Sequence, residues 1–240
     1  MSVHLAGLEV QGRSIGGLET CLEVPAWDFA FDLGRAAESA WSRSTILFTH
    51  AHVDHLGAVA QHCALRVRRR AAPPTYVVPR ENAADFGELM DVWRRLDGSR
   101  LAHRLVVLEP GEEHRLGRGL VARAFRAPHR APCQGYVIWR ETEKLIEDFV
   151  HLPGAEIAAR RGRGEVLTRT ERVPELAFTG DTRADVFESA PELYQVRRLI
   201  VEATFLDDQV SVERSRSMGH VHLDELIERA ERFENEAILL

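Results

Sequence analysis

The first stretch of the chain alternates between short apolar runs and glycine-rich turns. From Leu5 to Phe31, Gly12, Gly16 and Gly17 separate runs of strand length; Thr20 to Val24 alternates apolar and polar positions, Pro25 stops it, and Trp27 to Phe31 resumes extended structure. Thr45 to Phe48 is an apolar, β-prone run, and Leu56 to Ala60 reads as the first turns of a helix. Thr75 to Val78 predicts the next strand. Over Asn82 to Leu96 the positions Phe86, Leu89, Met90, Trp93 and Leu96 recur at helical spacing, with Asn82 placed to cap the helix. Leu105–Leu108, Leu120–Phe125, Gly135–Trp139, Leu176–Thr179 and Arg198–Val201 predict further strands. Glu141 to Arg172 is polar, and Arg160 to Gly164 is its least ordered-looking part. His222 to Phe233 predicts an amphipathic helix, and Ala237 to Leu240 the start of a last strand. Strands interleaved with helical segments predict an α/β domain.

One loop stands out from this pattern. Thr49-His50-Ala51-His52-Val53-Asp54-His55-Leu56-Gly57 follows an apolar strand and carries four metal-capable side chains in the order H-x-H-x-D-H. Open α/β sheets place their chemistry at such carboxyl ends of strands. His50 and His52, two apart in extended chain, point the same way; Asp54 and His55 are adjacent and can face a second position. A catalytic zinc takes about three protein ligands and keeps one place open, so four ligands on one tight loop suit two metals. Imidazole with carboxylate favours zinc, with manganese or iron as alternatives.

Composition narrows the setting without changing that reading. The 240 residues suffice for one substantial domain, and 45% apolar with 28% charged residues is ordinary for a soluble protein. No secretory signal and no run of membrane-spanning length is evident. Cys21, Cys63 and Cys133 are odd in number and far apart, which argues against a disulfide framework and for a reducing cytoplasm. Lys144 is the only lysine, so arginine dominates the basic residues, and a net charge of -6 gives no global attraction to phosphate.

Downstream strands also end on chemistry. His129 follows a strand and Pro128; Asp181 sits in Phe-Thr-Gly-Asp-Thr, where Gly180 lets the backbone approach closely. Glu202 follows an apolar strand, and His220 comes after Met218-Gly219. A Glu beside a His orients the imidazole and raises its pKa, which makes a proton donor near neutrality.

Taken in order, His50, His52, Asp54, His55, His129, Asp181, Glu202 and His220 resemble the set of tRNase Z, the tRNA 3′-processing endonuclease, in its short plant-type form. Supporting strings are Gly12 to Cys21, Gln134 to Val137, Phe178 to Thr182, Glu202 to Asp208 and Arg232 to Leu240. The resemblance implies a single domain over residues 1–240 with a four-layer αββα sandwich. It implies two zinc ions: His50, His52 and His129 on one, Asp54 and His55 on the other, Asp181 bridging. Asp54 then orients the attacking water, and Glu202 with His220 protonates the leaving ribose oxygen. It also implies precursor tRNA as substrate, a homodimer, and an RNA-binding arm falling between Asn82 and His114, with Arg94, Arg95, Arg100 and Arg104 on phosphates. Arg66, Arg68, Arg69 and Arg70 form a second basic candidate.

The family's last metal-binding histidine falls just past Leu240 by spacing, so the chain is expected to lack the family's C-terminal end and to have an incomplete second site. Rival readings are another hydrolase on this fold, acting on small phosphodiesters, lactones or thioesters, and a catalytically weakened protein. His222 is expected to cap or pack its helix.

Overall fold

A computed structural model describes residues 1–35 and 39–240. Two mixed sheets lie face to face. The first runs in the order β1 (Ser2–Leu5), β2 (Leu8–Ile15), β3 (Glu19–Val24), β4 (Phe29–Phe31), β5 (Thr45–Leu47), β6 (Thr75–Pro79), β7 (Arg104–Leu108). The second runs β13 (Ala237–Leu239), β12 (Arg198–Ile200), β11 (Thr168–Phe178), β10 (Cys133–Leu145), β9 (Leu120–Ala127), β8 (Glu113–Gly117).

Apolar strands here are buried on both faces, and the period of two sorts their residues between layers. Phe31, Leu47 and Val77 meet Tyr136, Ile138, Leu176 and Phe178 in the core between the sheets. Their neighbours Ala30, Ile46, Phe48, Tyr76 and Val78 pack outward with α2 (Val59–Arg68) and α3 (Ala83–Asp97). On the other side Val137, Ala177, Leu199 and Val201 pack outward with Val186 and Phe187 of α5 (Val186–Ser189) and with Leu226 of α7 (Leu223–Ile227). Three cores separate four layers, αββα.

Three expectations change. The polar stretch Glu141–Arg172 is ordered: β10 and β11 continue as a two-stranded ribbon beyond the end of β9, pairing as far as Leu145 with Thr168, with α4 (Gly154–Gly162) at the tip. Exposed on both faces, the ribbon carries no apolar alternation to betray it. The helix expected over His222–Phe233 is α7 followed by a single 3-10 turn, Ala230–Arg232. His222 caps it: its Nδ1 accepts from Asp224 N–H, while Glu225 reaches back to the His222 N–H. Asn82 holds the N-cap position of α3 but makes no side-chain cap bond.

Residues 82–114, the stretch expected to hold the arm, contain the helix α3 and the strand β7. Phe86 and Met90 of α3 are buried in the outer core, and Arg104 opens β7. Because β5, β6 and β7 run parallel, that end of the sheet is opposite the one where the His50 loop leaves β5.

Candidate metal centre

The site is built from loops at the carboxyl ends of β4, β5, β9, β11 and β12. Asp32 ends β4 in a left-handed conformation (φ 55°) and is fully buried. Its carboxylate accepts from Thr49 N (2.7 Å), from Thr49 Oγ1 (2.8 Å) and from His55 Nδ1 (2.9 Å). With its own proton given to Asp32, the Thr49 hydroxyl accepts from His50 Nδ1 at 3.0 Å. Asp32 therefore fixes two imidazoles at once and leaves Nε2 of both His50 and His55 with an unshared pair. His129 reaches the same state through the backbone, its Nδ1–H donating to Gly219 O at 2.8 Å.

Those unshared pairs converge. His50 Nε2 is 2.9 Å from His52 Nδ1 and 3.9 Å from Asp181 Oδ2. His129 Nε2 is buried without a hydrogen-bond partner, a costly arrangement unless it ligates. One ligand atom from each of His50, His52, His129 and Asp181 lies within 4.8 Å of all the others. On the neighbouring side His55 Nε2 faces Asp181 Oδ1 at 3.4 Å and Asp54 Oδ2 at 3.7 Å. Asp181 thus turns one oxygen to each group. Gly180 (φ 61°) makes that approach possible, since a Cβ there would stand 2.7 Å from Thr49 Cβ. Imidazoles and carboxylates converging on two adjacent points fit a pair of divalent cations.

Electrostatics agree with the geometry. Burial, reinforced by the neighbouring imidazoles, drives the His50 pKa far below its usual range and lowers His129 as well; it also lowers His52. All three stay neutral, as ligands must. Burial works against a charged His55, but Asp32, Asp181 and Asp54 outweigh it and raise its pKa to about 9. Burial raises the Asp181 carboxyl to about 6, against the pull of His55. A place that attracts a proton so strongly at His55 attracts a cation.

Glu202 and His220 stand on the wall of the same cleft. His220 Nδ1 is 2.9 Å from Glu202 Oε1, which also accepts from Thr182 N at 2.7 Å; Glu202 Oε2 accepts from Thr204 Oγ1 at 2.6 Å. Burial alone would lower the His220 pKa, but the Glu202 hydrogen bond and charge hold it above its usual value. The cleft, of about 670 Å³, is lined by His52, Asp54, His55, Asp181, Glu202 and His220 together.

A β-lactamase superfamily domain model matches residues 25–240. The tRNase Z TRZ1 of Arabidopsis thaliana is 39% identical over 241 residues, covering 100% of this chain and 86% of that protein. The chain belongs to the tRNase Z family. A nuclear ribonuclease Z of Triticum aestivum is 41% identical over 168 residues, covering 70% of the chain and 96% of that protein. The metallo-beta-lactamase fold protein YhfI from Bacillus subtilis, only 15% identical, shares the fold with a TM-score of 0.62 over 99% of this chain and 84% of its own.

Within the tRNase Z frame, every strand-end residue singled out from the sequence lies in this cleft or its floor, and the basic candidates do not. Arg94 is held by Asp91 and by the carbonyl of Arg100. Arg95, Arg100 and Arg104 are exposed on the body of the crossover. Arg66 is buried, its Nε and Nη1 donating to the carbonyls of Trp41, Ser42, Arg43 and Ala72, a staple between neighbouring loops. Asp32 is the functional residue that sequence reasoning missed. Its signal was of the kind that flagged Asp181 and Glu202, an acid directly after an apolar strand.

Proposed function

We propose that this metal-dependent hydrolase is an endoribonuclease that removes 3′ trailers from precursor tRNA by water attack on one phosphodiester. The observation that carries the reading is the pairing of two constellations across one cleft: a ligand cluster for cations and, on its wall, a His–Glu pair poised to give a proton. A thioester's thiolate leaves without a donor there; a ribose oxygen, a much stronger base, needs one.

In this reading His50, His52 and His129 would hold one zinc ion, Asp54 and His55 would hold the other, and Asp181 has an oxygen turned to each. Bound cations supply acidification of water and charge neutralisation at the phosphoryl oxygens. Asp54, steadied by the Gly17 N–H at 2.9 Å on Oδ2, orients the attacking water and takes its proton. His220 keeps Nδ1 on Glu202 and delivers the Nε2 proton to the leaving oxygen. Asp32 holds the ligand imidazoles and does not touch substrate.

The distant contact with RNA, expected on residues 82–114, we place instead on the β10–β11 ribbon, which extends beyond the sheet and carries Arg161 and Arg163 on its tip without ion pairs among the described residues. A homodimer rests on the resemblance alone, and a cytoplasmic setting on the three free cysteines; no described helix is long and apolar enough to cross a membrane. The zinc-loaded chain should cut a 3′-extended tRNA once, near the mature end, and lose that activity to a chelator. Intact RNA beside brisk hydrolysis of a lactone or thioester would reject the reading.

A further inference from the structure

The cleft is acidic where an RNA backbone must lie. Asp54, Asp181 and Glu202 face it, and the whole chain carries -6. Cations at the ligand cluster neutralise the phosphate being cut, but its neighbours along the strand also need a partner.

Arg130 is the one arginine on this wall among the described residues. It directly follows His129, and its stem lies on Gly219, where a Cβ would stand 3.0 Å from Arg130 Cγ and 3.2 Å from Arg130 N. Gly219 has φ 90° and precedes His220. The small residue thus lets Arg130 sit against the turn that carries the proton donor. Arg123, Arg183 and Arg216 are occupied by Glu192, Asp185 and Glu225. Arg130 is exposed and makes no ion pair with a described carboxylate. A guanidinium presents a planar fork of donors that matches phosphate oxygens.

We propose that Arg130 binds the phosphate immediately 5′ of the one that is cut, on the tRNA side. The assignment rests on the endoribonuclease reading above, in which His220 protonates the leaving oxygen. That oxygen is the 3′ oxygen of the nucleotide that stays with the tRNA. The next phosphate on the His220 side is therefore the 5′ phosphate of the same nucleotide, and Arg130 is the cation beside His220. Arg130 selects a strand that continues 5′ of the cut.

The test is a cycle of two protein forms and two RNAs, with zinc-loaded wild type and R130Q. The substrates are a 3′-extended tRNA and the same RNA with one uncharged methylphosphonate at the phosphate 5′ of the cut. R130Q should lower kcat/KM on the unmodified RNA about 10- to 100-fold, mainly through KM, as for loss of a charge-assisted hydrogen bond. The methylphosphonate should cost wild type a similar factor and cost R130Q little more, and R130K should recover part of the loss. The methylphosphonate arm on wild type needs no substitution, so it stands even if R130Q folds poorly. A methylphosphonate that wild type does not notice, or one that penalises R130Q in full, overturns the proposal while the endoribonuclease reading survives. Wild type that cuts neither RNA overturns both.

Discussion

Two carboxylates in this molecule hold the same three kinds of donor and do different work. Asp32 accepts from Thr49 N, Thr49 Oγ1 and His55 Nδ1; Glu202 accepts from Thr182 N, Thr204 Oγ1 and His220 Nδ1. Each bonds one imidazole directly at Nδ1, which frees its Nε2, and Asp32 fixes a second through Thr49. The difference lies in what that Nε2 meets. At His55 it faces the carboxylates of Asp181 and Asp54 at 3.4 and 3.7 Å, a spot that only a proton or a cation relieves. His220 lines the cleft, with the side chain 22% exposed against 3% for His55. The first unit has the surroundings of a metal ligand; the second, which lies beside Asp181 and lines the cleft, is the one we propose as the proton donor.

The largest effect that separates the two units is on turnover. His220→Ala should lower kcat on precursor tRNA by about 10²–10⁴-fold with metal content unchanged, because the donated proton matters mainly in the transition state. Activity should also fall on the alkaline side, since a donor must be protonated and the His220 pKa lies above 6.5. If metal were lost and turnover per metal kept, His220 would be a ligand and the contrast would collapse.

Asp32→Asn sharpens the other half. An amide has one accepting oxygen, so it cannot keep the Oδ1 bond from Thr49 N together with the Oδ2 bonds from Thr49 Oγ1 and His55 Nδ1, and the orientation of His50 and His55 is disturbed. Metal affinity should fall at both positions by roughly 10–100-fold, read by zinc titration. Loss confined to one position would show that the Thr49 relay to His50 does not matter.

A smaller effect concerns the metal-free fold in acid. His50, His52 and His129 have depressed pKa values, so their contribution to stability is present above pH 6.5 and is lost as pH falls through their folded-state values. His55 and Asp181, with raised values, work the other way, so the effect is read as the difference in denaturant midpoint between the metal-free chain and its His50→Ala variant, which should shrink from pH 7 to pH 5. A difference that stays constant would count against a neutral His50. Smallest is the ribbon: neutralising Arg161 and Arg163 should flatten the slope of log affinity for tRNA against log salt by roughly 0.7–0.9 per lost contact. Neutralising Arg95 and Arg104 on the crossover should not.

The sequence carried the site better than the surface around it. His50, His52, Asp54 and His55 share one loop, and His129, Asp181 and Glu202 each follow an apolar strand, so local pattern places them together. His220 carries no strand-end signal, because it sits on a turn between short helices, and it is picked out by its pairing with Glu202 and by the family resemblance. Asp32 was overlooked because Asp-Leu-Gly reads as an ordinary turn, although it too closes a buried strand. The ribbon was misjudged for a different reason. A two-stranded element exposed on both faces has no hydrophobic period, and its paired arginines and glutamates look like a solvated loop.

The most direct measurement is the chemistry of the cut ends. If water attacks one phosphodiester and His220 protonates the ribose oxygen that leaves, the zinc-loaded chain must release a tRNA ending in a 3′-hydroxyl and a trailer beginning with a 5′-phosphate. Mass spectrometry of both products from a single 3′-extended tRNA decides it. A 3′-phosphate or 2′,3′-cyclic phosphate on the tRNA, or no cut with both cations bound, would contradict the account.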